Sequence, residues 1–267
     1  MIQKLLIGIT VHFGKERIEY LRHIAKNFNA LSLNTQVFVV TNTNSANEQK
    51  LIKAAIQGHV EIYVPKYLGH PYLLTWSHLD IFREYFQADP DISHFMYLED
   101  DIEIKPNNIE YWLRGRNYLR AAGLIPSFLR YEFTLQETEM RSTDFKSSYE
   151  LKSLPVFQKI VGNYCYVNTP RLYQGMYLLD RELAKEHLFG KSSHPDFSRL
   201  SLGIRESACQ GLSFINVPSG SFSRNFFGFM KDKNQIDPDA LIHHTSNSYA
   251  NNPKSQFGKI EIKNLII

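Results

Sequence analysis

The sequence predicts an α/β fold, a mostly parallel sheet with helices on both faces, and three observations carry that expectation. Short apolar runs without helical period alternate with amphipathic stretches through the first half of the chain. This is the pattern of βαβ units, in which crossover helices join parallel strands. Hydrophobic residues make up 43% of the 267 and charged residues 21%, a balance that supplies a sizeable core and excludes disorder. Gly and Pro number only 14 and 11, too few for a collagen-like or low-complexity chain.

The elements follow in order. Leu5–Val11 reads as a central strand buried on both faces. Glu16–Phe28 reads as a helix because Ile18, Leu21, Ile24 and Ala25 recur at three- and four-residue spacing and form one stripe. Strand Gln36–Thr41, helix Ala46–Ile56 and strand Val60–Val64 complete a βαβαβ run. After Gly69-His70-Pro71 a helix is expected over Tyr72–Phe86. Its Trp76, Leu79, Phe82 and Arg83 keep helical spacing, so the aromatics read as core and His70 and His78 as structural. Strand His94–Leu98 then runs straight into Glu99-Asp100-Asp101.

Beyond it come helix Asn108–Ala121, strand Ser127–Phe133, a polar stretch Thr134–Tyr149 without clear period, the segment Tyr164–Val167, and helices Asp180–Leu188 and Asp196–Leu212. The tail from Asn216 mixes Gly, Ser, Asn and Pro with Phe222, Phe226, Phe227 and Phe229, and is expected to wrap irregularly over the sheet. No repeat or linker breaks the chain. It is therefore expected to be a single domain, 1–267, with halves meeting near residue 105.

Thirty Lys and Arg against 27 Asp and Glu give a net charge of +3, spread too evenly for a dedicated nucleic-acid or anionic-membrane surface. Cys165 and Cys209 lack CxxC spacing, which disfavours zinc, iron–sulfur and disulfide chemistry. The N-terminal apolar run is short and broken by Thr10, His12 and Lys15, unlike a signal peptide, and no window is apolar enough to span a bilayer. The expectation is a cytoplasmic protein with at most peripheral contact at the inner face of the membrane.

Chemistry concentrates at Phe95-Met96-Tyr97-Leu98-Glu99-Asp100-Asp101, where an apolar strand delivers three consecutive carboxylates to a loop. Ligands of open α/β sheets bind outside the carboxyl ends of strands. Adjacent carboxylates repel one another unless a cation or a basic group offsets them, and oxygen-only ligation suits magnesium or manganese. The alternative is an acidic turn before a helix capped by Asn107 or Asn108. A P-loop and a Gly-x-Gly-x-x-Gly fingerprint are both absent, which removes most support for kinase and dehydrogenase readings.

The segment Tyr97-Leu98-Glu99-Asp100-Asp101-Ile102-Glu103-Ile104-Lys105-Pro106 resembles the DxD-type metal-binding segment of GT-A glycosyltransferases, in the Glu-Asp-Asp form of the N-acetylglucosaminyltransferase I family. The resemblance implies a Rossmann-like GT-A sheet and a manganese or magnesium ion held by Asp101, with Glu99 and Asp100 on the donor. Tyr173-Gln174-Gly175-Met176-Tyr177 is similar to that family's glycine loop, which would bring Gly175 against the donor sugar. Read on its own, Gly175 starts a strand or turn ahead of the helix that Asp180 caps. Gly203-Ile204-Arg205-Glu206-Ser207 lies where the family carries its catalytic base, making Glu206 the candidate, although the common Glu-Asp pair reads Glu206-Ser207 here. Ile242-His243-His244-Thr245 is similar to the C-terminal histidine segment, so His243 or His244 is the expected further metal ligand.

At the other end, Thr10, His12 and Arg17 follow strand one and open a helix, where a nucleotide diphosphate would meet backbone N–H groups and a guanidinium; Asn42, past strand two, would meet base or ribose. The resemblance as a whole implies an inverting, metal-dependent transfer of a hexosyl or N-acetylhexosaminyl unit from a nucleotide-diphosphate sugar, UDP favoured, to a glycan or glycolipid hydroxyl, as in cell-envelope glycan synthesis. Two alternatives stay open. One is a sugar nucleotidyltransferase, whose glycine-rich basic N-terminal loop is missing here; the other is a non-catalytic carbohydrate-binding or scaffold protein of the same fold.

Overall fold

Residues 2–56, 58–136, 138–146, 151, 154–157, 162–170, 172–195 and 203–266 are described by a computed structural model. In chain order, β1 (Ile2–Val11), α1 (Lys15–Ala25), β2 (Ser32–Thr41), α2 (Ala46–Ala55), β3 (Val60–Tyr63), α3 (His78–Ala88) and β4 (His94–Glu99) alternate as the sequence predicts. Next come β5 (Ile102–Glu103), α4 (Pro106–Leu119), β6 (Ile125–Pro126), β7 (Leu129–Phe133), β8 (Met140–Ser142), β9 (Val156–Phe157) and β10 (Tyr164–Asn168). The remainder is β11 (Met176–Asp180), α5 (Arg181–Leu188), α6 (Ile204–Ala208), β12 (Asn225–Met230), β13 (Gln235–Ile236), β14 (Leu241–His244) and β15 (Ile260–Glu261).

These elements group into two compact units, one of Met1–Ile102 with Gly175–Leu212, the other of Glu103–Gln174 with Ser213–Ile267.

The first unit is built on a sheet of order β11-β4-β1-β2-β3. β1 pairs in parallel with both β2 and β4, β2 in parallel with β3, and β11 antiparallel with β4. Strand β1 is flanked on both sides, so Leu5, Leu6, Ile7, Ile9 and Val11 are all buried, which is why its apolar residues do not alternate with polar ones. The path moves outward from β1 to β3 and returns past β1 to β4. Right-handed crossovers therefore put α1 and α2 on one face and α3 on the other.

Helix α1 buries the stripe Ile18, Leu21, Ile24 and Ala25 anticipated from its spacing. The helix expected over Tyr72–Phe86 is divided: Pro71–Trp76 is a 3₁₀ turn and α3 starts at His78. Proline at the first position and His70 Nδ1 accepting from the Tyr72 N–H start that turn. The Phe82 ring of α3 meets Phe38 and Phe95 edge-on, at 5.4 and 5.5 Å between centroids, a favoured aromatic geometry.

In the second unit one sheet runs β13-β12-β10-β9, with β6 paired to β12, and another runs β15-β8-β7-β14-β5. Asn108 starts α4: its side chain accepts from the Lys105 N–H at 2.8 Å and donates to the carbonyls of Asp239 and Leu241. The tail is more regular than expected. Asn225–Met230 is a strand whose partners β10 and β13 lie on either side, and its phenylalanines 226, 227 and 229 are core. Of the expected helix Asp196–Leu212, residues 196–202 lie outside the described residues, and α6 with the turn after it accounts for the rest. In the stretch Thr134–Tyr149, β8 is a short strand, and residues 137 and 147–149 lie outside the described residues. Among the described residues no helix is long and apolar enough to cross a membrane.

Candidate functional site

The strand order of the first unit reverses between β1 and β4, and open α/β sheets bind ligands at such a switch point, beyond the carboxyl ends of the strands. Thr10 and Glu99 are register partners at those two ends. The chain then turns through Asp100 and Asp101, which are 2% and 4% exposed. Two buried carboxylates need an opposing charge nearby, and α1 delivers it from its first turn. Arg17 Nε donates to Asp100 Oδ2 at 2.8 Å, its second terminal nitrogen donates to Asp100 Oδ1, and Nη1 donates to Asp101 Oδ2 at 3.1 Å. One guanidinium thus spans both acids, with geometry that a lysine cannot reproduce.

Glu99 is held differently. Its N–H donates to the Gly175 carbonyl at 2.9 Å, and its Oε1 accepts from the Cys209 thiol at 3.3 Å. Gly175 has φ +63°, and a Cβ placed there would stand 2.9 Å from Ile102 Cγ1 and 3.1 Å from Glu99 Oε2. The position therefore requires glycine twice over, for its backbone conformation and for the close approach of the Glu99 carboxylate. Both residue-level expectations for this segment hold: Gly175 precedes strand β11, and the Asp180 side chain caps α5 by accepting from the Leu183 N–H.

The remaining first-unit candidates surround these elements. Thr10 is buried, His12 is exposed, and exposed Asn42 accepts from the Phe13 N–H at 2.8 Å, tying the β1–α1 loop to the end of β2. Glu206 sits in the first turn of α6, with its side chain 32% exposed and Oε1 accepting from Arg205 at 2.9 Å. The turn is anchored by Trp76, whose indole N–H donates to the Ile204 carbonyl at 2.8 Å. Trp76 is half-buried, so the aromatic spacing that marked it as core also hides a polar anchoring role.

Behind the site lies a buried polar core. His78 donates from Nδ1 to the Thr75 carbonyl at 2.6 Å and accepts at Nε2 from the Tyr177 hydroxyl, while its ring stacks on Tyr97 at 4.1 Å. Burial lowers its pKa to about 3, so the neutral tautomer that this arrangement needs is the stable one. His187 is likewise lowered to about 3 by burial.

His243 and His244 belong to the second unit. His244 is buried, with Nδ1 2.6 Å from Oε1 of the fully buried Glu132. His243 stacks on Tyr131 at 5.1 Å, and its Nδ1 stands 3.6 Å from Glu103 Oε2. Adjacent residues of a strand point to opposite faces, which explains their different partners.

Sequence reasoning did not find the Arg17 fork, the Cys209–Glu99 contact or the Trp76 anchor. Arg17 and Asp100 are 83 residues apart, and no local pattern marks such a pair.

The sequence matches no family model and no curated protein. Among solved structures it is similar to 4-diphosphocytidyl-2C-methyl-D-erythritol synthase from Anaerococcus prevotii, at 12% identity over 74% of this chain and 80% of that one, TM-score 0.33. It is also similar to an active-site mutant of LgtC, at 14% identity over 79% of this chain and 70% of that one, TM-score 0.39. The narrower likeness to the N-acetylglucosaminyltransferase I family gains no support from these comparisons.

Proposed function

We propose that the first unit binds a nucleotide-diphosphate sugar and that the protein is a metal-dependent, inverting glycosyltransferase. The observation that carries this reading is the burial of Asp100 and Asp101, bridged by Arg17, at the switch point between β1 and β4. Carboxylate oxygens at that depth fit a hard divalent cation in kind, and Asp101 is the residue we assign to it. Such an ion, manganese or magnesium, offsets charge on a departing diphosphate. Arg17, Thr10 and His12 would face the phosphates, Asn42 the base or ribose, Asp100 and Glu99 the ribose or sugar, and Gly175 the donor ring.

In the transfer, an acceptor hydroxyl oxygen forms a bond to the anomeric carbon as the bond from that carbon to the diphosphate oxygen breaks. The leaving oxygen takes the bonding pair. Glu206 accepts the hydroxyl proton, a task suited to a carboxylate that is partly exposed and therefore reachable. The acceptor on this reading is a glycan or glycolipid.

The test is phosphorus NMR of the protein incubated with nucleotide-diphosphate sugars, manganese and a panel of saccharide acceptors. The reading expects release of a nucleoside diphosphate that needs the metal and disappears in Glu206→Gln. Pyrophosphate released from a nucleoside triphosphate and a sugar phosphate would establish a nucleotidyltransferase instead, and no turnover with any donor would leave the binding-protein account.

A further inference from the structure

The second unit has a cavity of its own, about 510 Å³, lined by Arg114, Tyr118, Tyr164, Gln235, Asp237 and Asp239 among others. Its walls come from regular elements. Arg114 and Tyr118 share one face of α4 at i, i+4 spacing, and Tyr164 and Tyr166 share one face of β10 at i, i+2. The two β10 rings meet edge to face at 5.3 Å and 74°. The opposite strand gives way to them: a Cβ on Gly228 would fall 1.9 Å from the Tyr164 hydroxyl.

The polar groups are fixed in place. Asp237 is 5% exposed; its Oδ2 accepts from the Tyr164 hydroxyl at 2.7 Å and from Arg114 at 3.0 Å, and its Oδ1 accepts from the Asp239 N–H at 3.0 Å. Burial and the neighbouring Asp237 raise the Asp239 carboxyl above its ordinary pKa. Charge then decides the ligand class. Arg114 and Lys233 are balanced by Asp237 and Asp239 in the lining, so an anion would face two carboxylates and a cation two basic groups. A neutral ligand rich in donors and acceptors, with an apolar face for the tyrosines, meets neither penalty.

We propose that this cavity is a saccharide-binding site, taking a neutral sugar ring whose C–H face lies on Tyr118 and whose hydroxyls meet Gln235, Arg114 and Asp239. The proposal stands on the second unit alone and does not require that the first unit transfer sugars.

The experiment is an NMR titration of isotopically labelled full-length protein with glucose, galactose, N-acetylglucosamine and lactose. At least one of these should bind in the millimolar range, with shift changes confined to the lining residues. Tyr118→Ala, at a position 38% exposed and so able to fold, should weaken binding about tenfold, and Gln235→Ala should also weaken it. Nucleotide binding by the Tyr118→Ala protein should match the wild type, which separates failure of this site from failure of the first. The proposal is overturned if no sugar shifts the lining residues, if both variants bind like the wild type, or if inorganic phosphate perturbs those residues more strongly than any sugar.

Discussion

Arg17 and Asp100 form a two-point ion pair across 83 residues of sequence, Nε to Oδ2 at 2.8 Å with the second terminal nitrogen on Oδ1. The carboxylate is almost fully buried and the guanidinium 31% exposed. The acidic end of β4 is thereby fastened to the first turn of α1, and a third donor extends the hold to Asp101.

Replacing Arg17 with Ala strands two buried carboxylates. The expected loss of stability is about 2 kcal/mol, less than the ~3–5 of a fully buried pair because water reaches the guanidinium. Arg17→Lys should recover only part of it, since one ammonium cannot serve both acids in this geometry. Urea unfolding of the three proteins measures both effects.

Gly175→Ala should be among the more damaging single-methyl additions in the chain. The left-handed backbone and the approach to Ile102 and Glu99 together predict about 2–3 kcal/mol of destabilisation. Thermal melts should show it, and Glu99 should be displaced in a crystal structure of any variant that folds.

Acid sensitivity follows from two buried histidines, His78 and His187, and the half-buried His94. Burial lowers His78 and His187 to about 3 and His94 to about 4, from an ordinary 6.5. Below pH 6.5 the unfolded chain takes up protons that the folded one refuses. Their stabilising contribution is therefore complete above 6.5 and is lost as pH falls toward 3, at up to about 1.4 kcal/mol per pH unit for each residue. Unfolding free energies between pH 7 and pH 4 test the slope, which His187→Gln should reduce by one proton.

Trp76→Phe keeps the ring and removes the N–H that holds the Ile204 carbonyl. The expected cost is about 1 kcal/mol, concentrated in α6. Amide hydrogen exchange should quicken over Ile204–Ala208, and in the proposed reaction kcat should fall more than nucleotide affinity, because Glu206 rides on that turn.

The first unit was largely legible because its strands and helices obey local rules. The buried run of β1, the α1 stripe and the strand that ends in Glu99-Asp100-Asp101 are each written within a dozen residues, and the βαβ alternation fixes their parallel order. Met176–Asp180 was less so: four apolar residues between a glycine and an aspartate fit several structures, and only pairing with β4 makes them an antiparallel strand. Asn225–Met230 was masked by flanking Ser and Gly, which mark loops on average yet here border a strand buried between two others. The candidate acids were evident from their clustering. Their partners were not, since Arg17, Cys209 and Gly175 reach them only through folding, and ion pairs distant in sequence leave no periodic trace.

The central claim is that the acids at the end of β4, beside the end of β1, form a metal and nucleotide site. Isothermal calorimetry with a panel of nucleoside diphosphates, with and without manganese, on wild type and Asp101→Ala, tests it most directly. The account predicts that at least one nucleotide binds wild type only when the metal is present and fails to bind the variant. If the folded wild-type protein binds none of them under either condition, the acidic cluster serves only to fasten α1 to β4, and the proposed reaction is wrong.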